Sequence, residues 1–317
     1  SYRFILTAFQ LYGHLMAGRL STATQLVHTM TAAEPASGDH SLYIKYCMMV
    51  AIAAVPFGVR EISDLLIARV KQACQTTASL DTNVAAIFSH GCADYTRAFG
   101  RDLWQTLILS REAAEGHKAA GDRKMMISAR IRIGQAACEL GNAELGIRVL
   151  RESLALAESD HDLFYRRQVM LHLSAALAAL PDAAAWEQAE AYARDVLEIP
   201  NTSTGYKGWA HGILAQCCLQ RHQASQAEVE ANLALPQCQN FPLRRLWVKT
   251  LLASCKIIQG RATIEAAQEL IAELDDLKCA GYVEVAARLA AELPKWTFED
   301  GWIRRKYKTS GWKATLM

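Results

Sequence analysis

Small residues or helix breakers recur along this chain at a nearly fixed interval. Gly18, Gly58, Gly100, Gly141, Pro181, His222 and Gly260 are separated by 40, 42, 41, 40, 41 and 38 residues. Each is flanked on both sides by an apolar stretch of helical period, as in ISARIRIGQAACELG followed by NAELGIRVLRESLALAE. A unit of two amphipathic helices cannot bury its apolar face alone, so such units must stack on their neighbours. The spacing therefore predicts an all-α chain, an α-solenoid of about seven helix–turn–helix repeats with a period of about 40.

The segments between units agree. Residues 34–39, Gly121-Asp122, Ser159-Asp160, residues 199–203 and Phe241-Pro242 fall where the second helix of a unit should end, and several offer Ser, Asp or Asn as the next N-cap. The 7 prolines and 18 glycines are too few for a strand-and-turn protein of 317 residues. Ala, Leu, Glu, Gln and Arg, the strong helix formers, dominate instead.

Two units carry a family resemblance. One places Ile133-Gly134, Ala137, Gly141, Gly146, Leu150 and Ser153 at successive offsets; another repeats the pattern with Leu214-Ala215, Cys218, Ala227 and Ala234. This is similar to the tetratricopeptide repeat (TPR), in which small residues let the first helix of a unit touch the second helix and the next unit. The period exceeds the usual 34. Together with GRDLWQTLILSREAAEGHKAAGDR and FPLRRLWVKTLLASCKIIQGR, it resembles the longer arrays appended to bacterial serine/threonine kinases, STAND-type ATPases and transcription activators. The resemblance covers roughly residues 1–290. It implies a right-handed α-solenoid over 1–294 that acts as a non-catalytic protein–protein interaction scaffold. Such a scaffold would be the regulatory region of a larger cytoplasmic bacterial signalling protein. Its partner would be a peptide or partner domain, another domain of its own parent chain included, held in the concave groove.

In TPR arrays the first helix of each unit lines that groove. The register gives three rows: Ser128, Gln168, Trp209 and Trp247; Ile131, Leu171, Gly212 and Thr250; Gln135, Ala175, Gln216 and Ser254. From these we take Ser128, Gln135, Gln168, Trp209, Gln216, Trp247 and Thr250 as candidate partner-binding residues. Arg167 and Arg245, among the basic residues near the starts of these helices, join them as contacts for an acidic partner. The two tryptophans, one repeat apart, read either as interface anchors or as rings packed between helices.

Net charge is +2, which gives no overall field for nucleic acid. The positive charge is concentrated in the tail. Residues 295–317 include Lys295, Arg304, Arg305, Lys306, Lys308 and Lys313, with Trp296, Trp302 and Trp312, against only Glu299 and Asp300. This segment reads as a cap on the last repeat. The second reading of the chain uses the same tail as the contact of a nucleic-acid-associated transcriptional regulator.

No constellation of catalytic residues appears. There is no C-x-x-C, no H-E-x-x-H and no Cys/His quartet. The pair Gly141 and Gly146 lacks the Lys and Ser/Thr of a phosphate loop. His90-Gly91-Cys92 reads as a core cysteine beside a surface histidine. Nine scattered cysteines, one pair of them adjacent, suit buried thiols in a reducing compartment. We therefore expect no enzyme activity, cofactor, metal or small-molecule substrate, no membrane insertion, and a cytoplasmic location. The chain opens at Ser1 without Met, as a piece of a larger protein would.

Overall fold

The structure, a computed structural model, describes residues 2–17, 19–32, 40–55, 59–76, 81–100 and 102–261, together with Glu269, Ala272 and Glu273. The basic tail over 295–317 lies outside the described residues, as do the markers Gly18 and Gly58.

Thirteen helices follow one another among the described residues, with no strand. They are α1 (Tyr2–Met16), α2 (Leu20–Ala32), α3 (His40–Ala54), α4 (Arg60–Thr76), α5 (Thr82–Tyr95), α6 (Leu103–Ala119) and α7 (Arg123–Glu139). Then come α8 (Ala143–Ser159), α9 (Leu163–Ala178), α10 (Ala183–Glu198), α11 (Thr204–Gln220), α12 (Ala224–Gln237) and α13 (Pro242–Ile258). They form six helix pairs, with α13 opening a seventh. Gly141, Pro181 and His222 stand between the two helices of a pair, Gly100 ends a π-helical turn (Thr96–Gly100) before α6, and Gly260 follows α13.

One turn design recurs. A residue in the left-handed region ends a helix, and the next residue donates its amide to the carbonyl five positions back. Gly121, Gly141, His161, His222 and Gly260 have φ of 72°, 87°, 52°, 59° and 68°. The matching amide bonds are Asp122 to His117 (2.8 Å), Asn142 to Ala137 (2.9 Å), Asp162 to Ala157 (3.0 Å), Gln223 to Cys218 (2.9 Å) and Arg261 to Lys256 (2.8 Å). This is the Schellman arrangement, which satisfies carbonyls the helix leaves open. Asp122, Asn142 and Asp162 then serve as N-caps, each accepting at 3.1 Å from the amide of Met125, Leu145 or Tyr165. Two residues thus close one helix and open the next.

The chain forms two compact units, residues 1–169 and 170–317. In the first, each pair packs on itself and first helices pack on first helices, α1 on α3, α3 on α5 and α5 on α7; α2 packs on α4. The result is two layers, one of first helices and one of second helices. In the second unit α11 packs on α10, α12 and α13, and α12 packs on α13. Contact is close because the facing residues are small. A Cβ on Gly134 would lie 2.6 Å from Leu150, and one on Gly146 would lie 2.2 Å from the Cys138 sulfur. These are positions that carry the repeat pattern. Cores of Leu107, Ala113, Ala129, Ile133 and Ala136, and of Ala215, Ala231, Ala234, Val248 and Leu251, fill the spaces between helices.

Charge divides between first and second helices. The first helices of the pairs, α13 included, hold thirteen Lys and Arg and two carboxylates, Asp94 and Glu139; the second helices hold eight and thirteen. Ion pairs run between them, as Arg130 to Glu152 and Arg166 to Glu158, and His211 is hydrogen-bonded to Glu230. The eight described cysteines are free thiols. Burial pushes Cys47 and Cys217 up to about 12, and Cys238 and Cys255 up to about 11, so these thiols stay protonated and unreactive. No described helix is long and apolar enough to cross a membrane.

Candidate functional site

In the first unit, the first-helix layer between α5 and α7 is polar. Arg132 donates its Nε to Asp94 and, at 2.7 Å, another guanidinium N–H to Gln135. Ser128 Oγ lies 3.4 Å from His90 Nε2. The His117 ring of α6 meets His90 edge to face, with centroids 5.7 Å apart. His90, Asp94 and His117 are all buried. Burial pushes His90 down to about 4; Asp94 opposes this, and Arg132 and His117 add to it. His117 is lowered too, again chiefly by burial. Among the described residues, His90 Nδ1, Asp94 Oδ2, Ser110 Oγ and both His117 ring nitrogens have no hydrogen-bond partner.

This corrects the expectation for His90-Gly91-Cys92. The histidine is fully buried and the cysteine only half-buried. Residues two apart on a helix point about 200° apart, so only one of the pair faces the layer interior, and in α5 that one is His90. His90 and Asp94 are four residues apart on one face, a signal present in the sequence. Two histidines and an aspartate in mostly apolar helices gave no motif to find, however.

Of the candidate residues, Ser128, Gln135, Gln168 and Arg167 lie in the first unit, all half-buried. Arg167 Nε donates to the carbonyl of Leu163 in its own helix at 3.0 Å. Trp209, Gln216, Trp247, Thr250 and Arg245 lie in the second. Trp209 and Trp247 are half-buried, as are Gln216 and Arg245. Thr250 is 2% exposed, and its hydroxyl donates to the carbonyl of Trp247 at 2.6 Å, so it offers no reachable surface.

Around Trp209 the second unit assembles a cluster the sequence did not reveal. The Arg244 guanidinium carbon sits 4.4 Å from the Trp209 ring centroid and 5.0 Å from that of Phe241. Arg244 also donates to the Gly205 carbonyl at 3.4 Å. His172 meets Trp209 edge to face at 4.6 Å. Phe241 reaches this place because residue 205 is glycine: a Cβ there would stand 2.3 Å from the Phe241 ring. The outcome is a guanidinium seated over two aromatic rings at the N-terminal ends of α11 and α13. Such cation–π contacts contribute roughly 0.5–2 kcal/mol. Among the described residues, no three His, Cys, Asp or Glu are placed to hold a metal ion.

No protein-family model matches this chain, and no curated protein sequence matches it. Solved structures do. A Rap protein complexed with competence and sporulation factor superposes with a TM-score of 0.60 at 12% identity, covering 98% of this chain and 84% of that one. A Signal Transduction ATPase with Numerous Domains (STAND) protein with a tetratricopeptide repeat sensor, from Pyrococcus horikoshii, gives 0.53 at 14% identity. That match covers 90% of this chain, which spans only 43% of the STAND protein. Identities this low speak for the fold alone. With the paired helices and their recurring turns, they establish an all-α helical-repeat protein of tetratricopeptide-like architecture.

Proposed function

We propose that this chain is a non-catalytic scaffold that takes a peptide segment or partner domain on its first-helix layer. In this reading it is the regulatory region of a larger cytoplasmic bacterial signalling protein. The observation that carries the proposal is the cluster of Trp209, Arg244 and His172 on first helices, with Phe241 at the N-cap of α13. Half-buried Trp and Arg, pre-positioned by packing, are the residue types that anchor protein interfaces. The fold supports it as well: the Rap neighbour was solved with competence and sporulation factor bound, and the STAND neighbour carries its repeats as a sensor. Stacked helical repeats supply an extended surface of this kind.

The test is capture of a binding protein from host lysate by the intact chain and by two variants. Trp209→Ala removes the ring at the cluster. Trp104→Ala removes a ring that is 65% exposed on α6, a second helix. A protein retained by the intact chain and by Trp104→Ala, and lost by folded Trp209→Ala, is the expected result. Loss with Trp104→Ala and retention with Trp209→Ala would move the site to the second-helix layer. Failure to retain any protein would overturn the reading of a partner in trans.

A further inference from the structure

Two histidines stand where the packed layers have no room for charge. His90 and His117 are the only buried histidines among the described residues, at 1% and 0% exposure, and their rings meet across α5 and α6. A protonated ring carries two N–H donors and needs an acceptor for each. His90 Nε2 has the Ser128 hydroxyl at 3.4 Å, but His90 Nδ1 and both nitrogens of His117 have no partner among the described residues. The closed junction therefore suits neutral rings.

The charges around the pair do not reverse this. One turn along α5, Asp94 favours a proton on His90; so does Asp122, in the turn between α6 and α7, which acts on His117 as well. Arg132 of α7 opposes it and is itself paired with Asp94. Other charges on the adjoining elements are engaged elsewhere. Lys71 of α4 acts on Cys92, Glu112 of α6 meets Ser89, and Arg97 of the π-helical turn pairs with Glu139. From α3, Met48 reaches this level of α5 at Gly91. Burial outweighs the two carboxylates, and His90 is pushed down to about 4 with His117 lowered in the same direction.

Where the pair sits decides what a proton does. In a helical array each helix packs on its neighbours alone, so a penalty at one junction falls on that junction. α6 packs chiefly on α5, α7 and the π-helical turn. We propose that His90 and His117 form a proton-operated latch, through which acid opens the α5–α6–α7 junction while the second compact unit stays folded. Opening returns both rings to water, where histidine titrates near 6.5, so below that pH the open junction binds more protons than the closed one. The latch is shut above pH 6.5 and released as pH falls toward 4. At pH 5 His90 alone multiplies the open-to-closed ratio by about thirty, and His117 adds to it. The device acts through the fold itself and is independent of what the scaffold binds.

Hydrogen–deuterium exchange of the intact chain at pH 7 and pH 5, corrected for the pH dependence of chemical exchange, tests it peptide by peptide. Amides of α5–α7 should lose protection by about thirtyfold or more, while those of α11 and α12 keep theirs. His90→Gln should cut that loss to the share of His117, and His90→Gln with His117→Gln should abolish it. His222→Gln, at an exposed turn, should behave as the parent does. Helix content at pH 7 shows whether each variant folds. Equal loss of protection in α5–α7 and α11–α12 of the parent would overturn the latch, and that comparison needs no variant. Unchanged protection of α5–α7 at pH 5 would overturn it too, as would a local loss that survives in the folded double variant. Should the double variant not fold, His90→Gln decides: a loss equal to the parent's rules the latch out.

Discussion

Trp247 rests on the backbone of α11 at Gly212: a Cβ placed on that glycine would stand 2.3 Å from the Trp247 ring. The two tryptophans one repeat apart therefore share a register and differ in what holds them. Trp209 is framed by Arg244 and His172, and Trp247 is seated in the notch that the missing side chain leaves. Gly212→Ala forces the ring outward or the helices apart. Overpacking of this kind costs about 1–3 kcal/mol, so the urea midpoint should fall accordingly, with little change in its slope. A midpoint within error of the parent's would mean Trp247 moves aside freely and is not packed between the helices.

The buried histidines of the first unit make stability depend on pH. His90 titrates near 6.5 when unfolded and is pushed down to about 4 by burial when folded. Below 6.5 the unfolded chain binds more protons than the folded one. The stability tied to neutral His90 is thus fully present above pH 6.5 and lost as pH falls toward 4. At about 1.4 kcal/mol per unit, the full loss is of order 3 kcal/mol. His117, lowered in the same direction, adds to it. Denaturation at pH 7 and pH 4.5 measures the difference. His90→Gln should shrink it, and an unchanged difference would assign the acid sensitivity to other groups.

Asp94 and Arg132 form an ion pair with a buried carboxylate and a partly exposed guanidinium. Arg132→Met strands the carboxylate, which should cost about 3 kcal/mol. Asp94→Leu with Arg132→Met removes both charges and should cost less than Arg132→Met alone. Arg132 also helps hold His90 low, so Arg132→Met should narrow the stability difference between pH 7 and pH 4.5 that His90 contributes. Additive losses in the double variant would show that the two side chains act independently.

The repeat was legible because its punctuation is local. Gly141 marks a left-handed residue, Asn142 after it is the cap, and Gly134, Gly146 and Leu150 mark where helices touch. All of these act within one unit and recur from unit to unit. The candidate site was legible only in register. The sequence placed Trp209 and Trp247 at equivalent positions, but Thr250, on the same reasoning, lies inside. Arg244 meets Trp209 across two helices and 34 intervening positions, and no local pattern announces such a pair. His90 likewise faces inward because of what α6 and α7 bring to it.

His222 tests how far the punctuation can be read. It fills the slot that glycine holds at Gly141 and Gly260, and it adopts the same left-handed backbone, with φ of 59° against 87° and 68°. For a residue with a Cβ that conformation costs roughly 1–2 kcal/mol, whereas glycine adopts it without strain. Glycine also loosens the unfolded chain, which returns about 0.4–1 kcal/mol of the gain. His222→Gly should therefore leave the protein more stable by about 0.5–1 kcal/mol. The turn bond from Gln223 to Cys218 would be unchanged, since it is made by backbone atoms. Gly141→Ala, the reverse exchange at the equivalent turn, should destabilise by about 1–2 kcal/mol. Both are read as shifts in the thermal midpoint. A His222→Gly variant less stable than its parent would mean that the imidazole makes a stabilising contact outweighing the backbone strain. Opposite signs for the two exchanges would establish that one turn geometry, and not one residue type, is what the forty-residue period encodes.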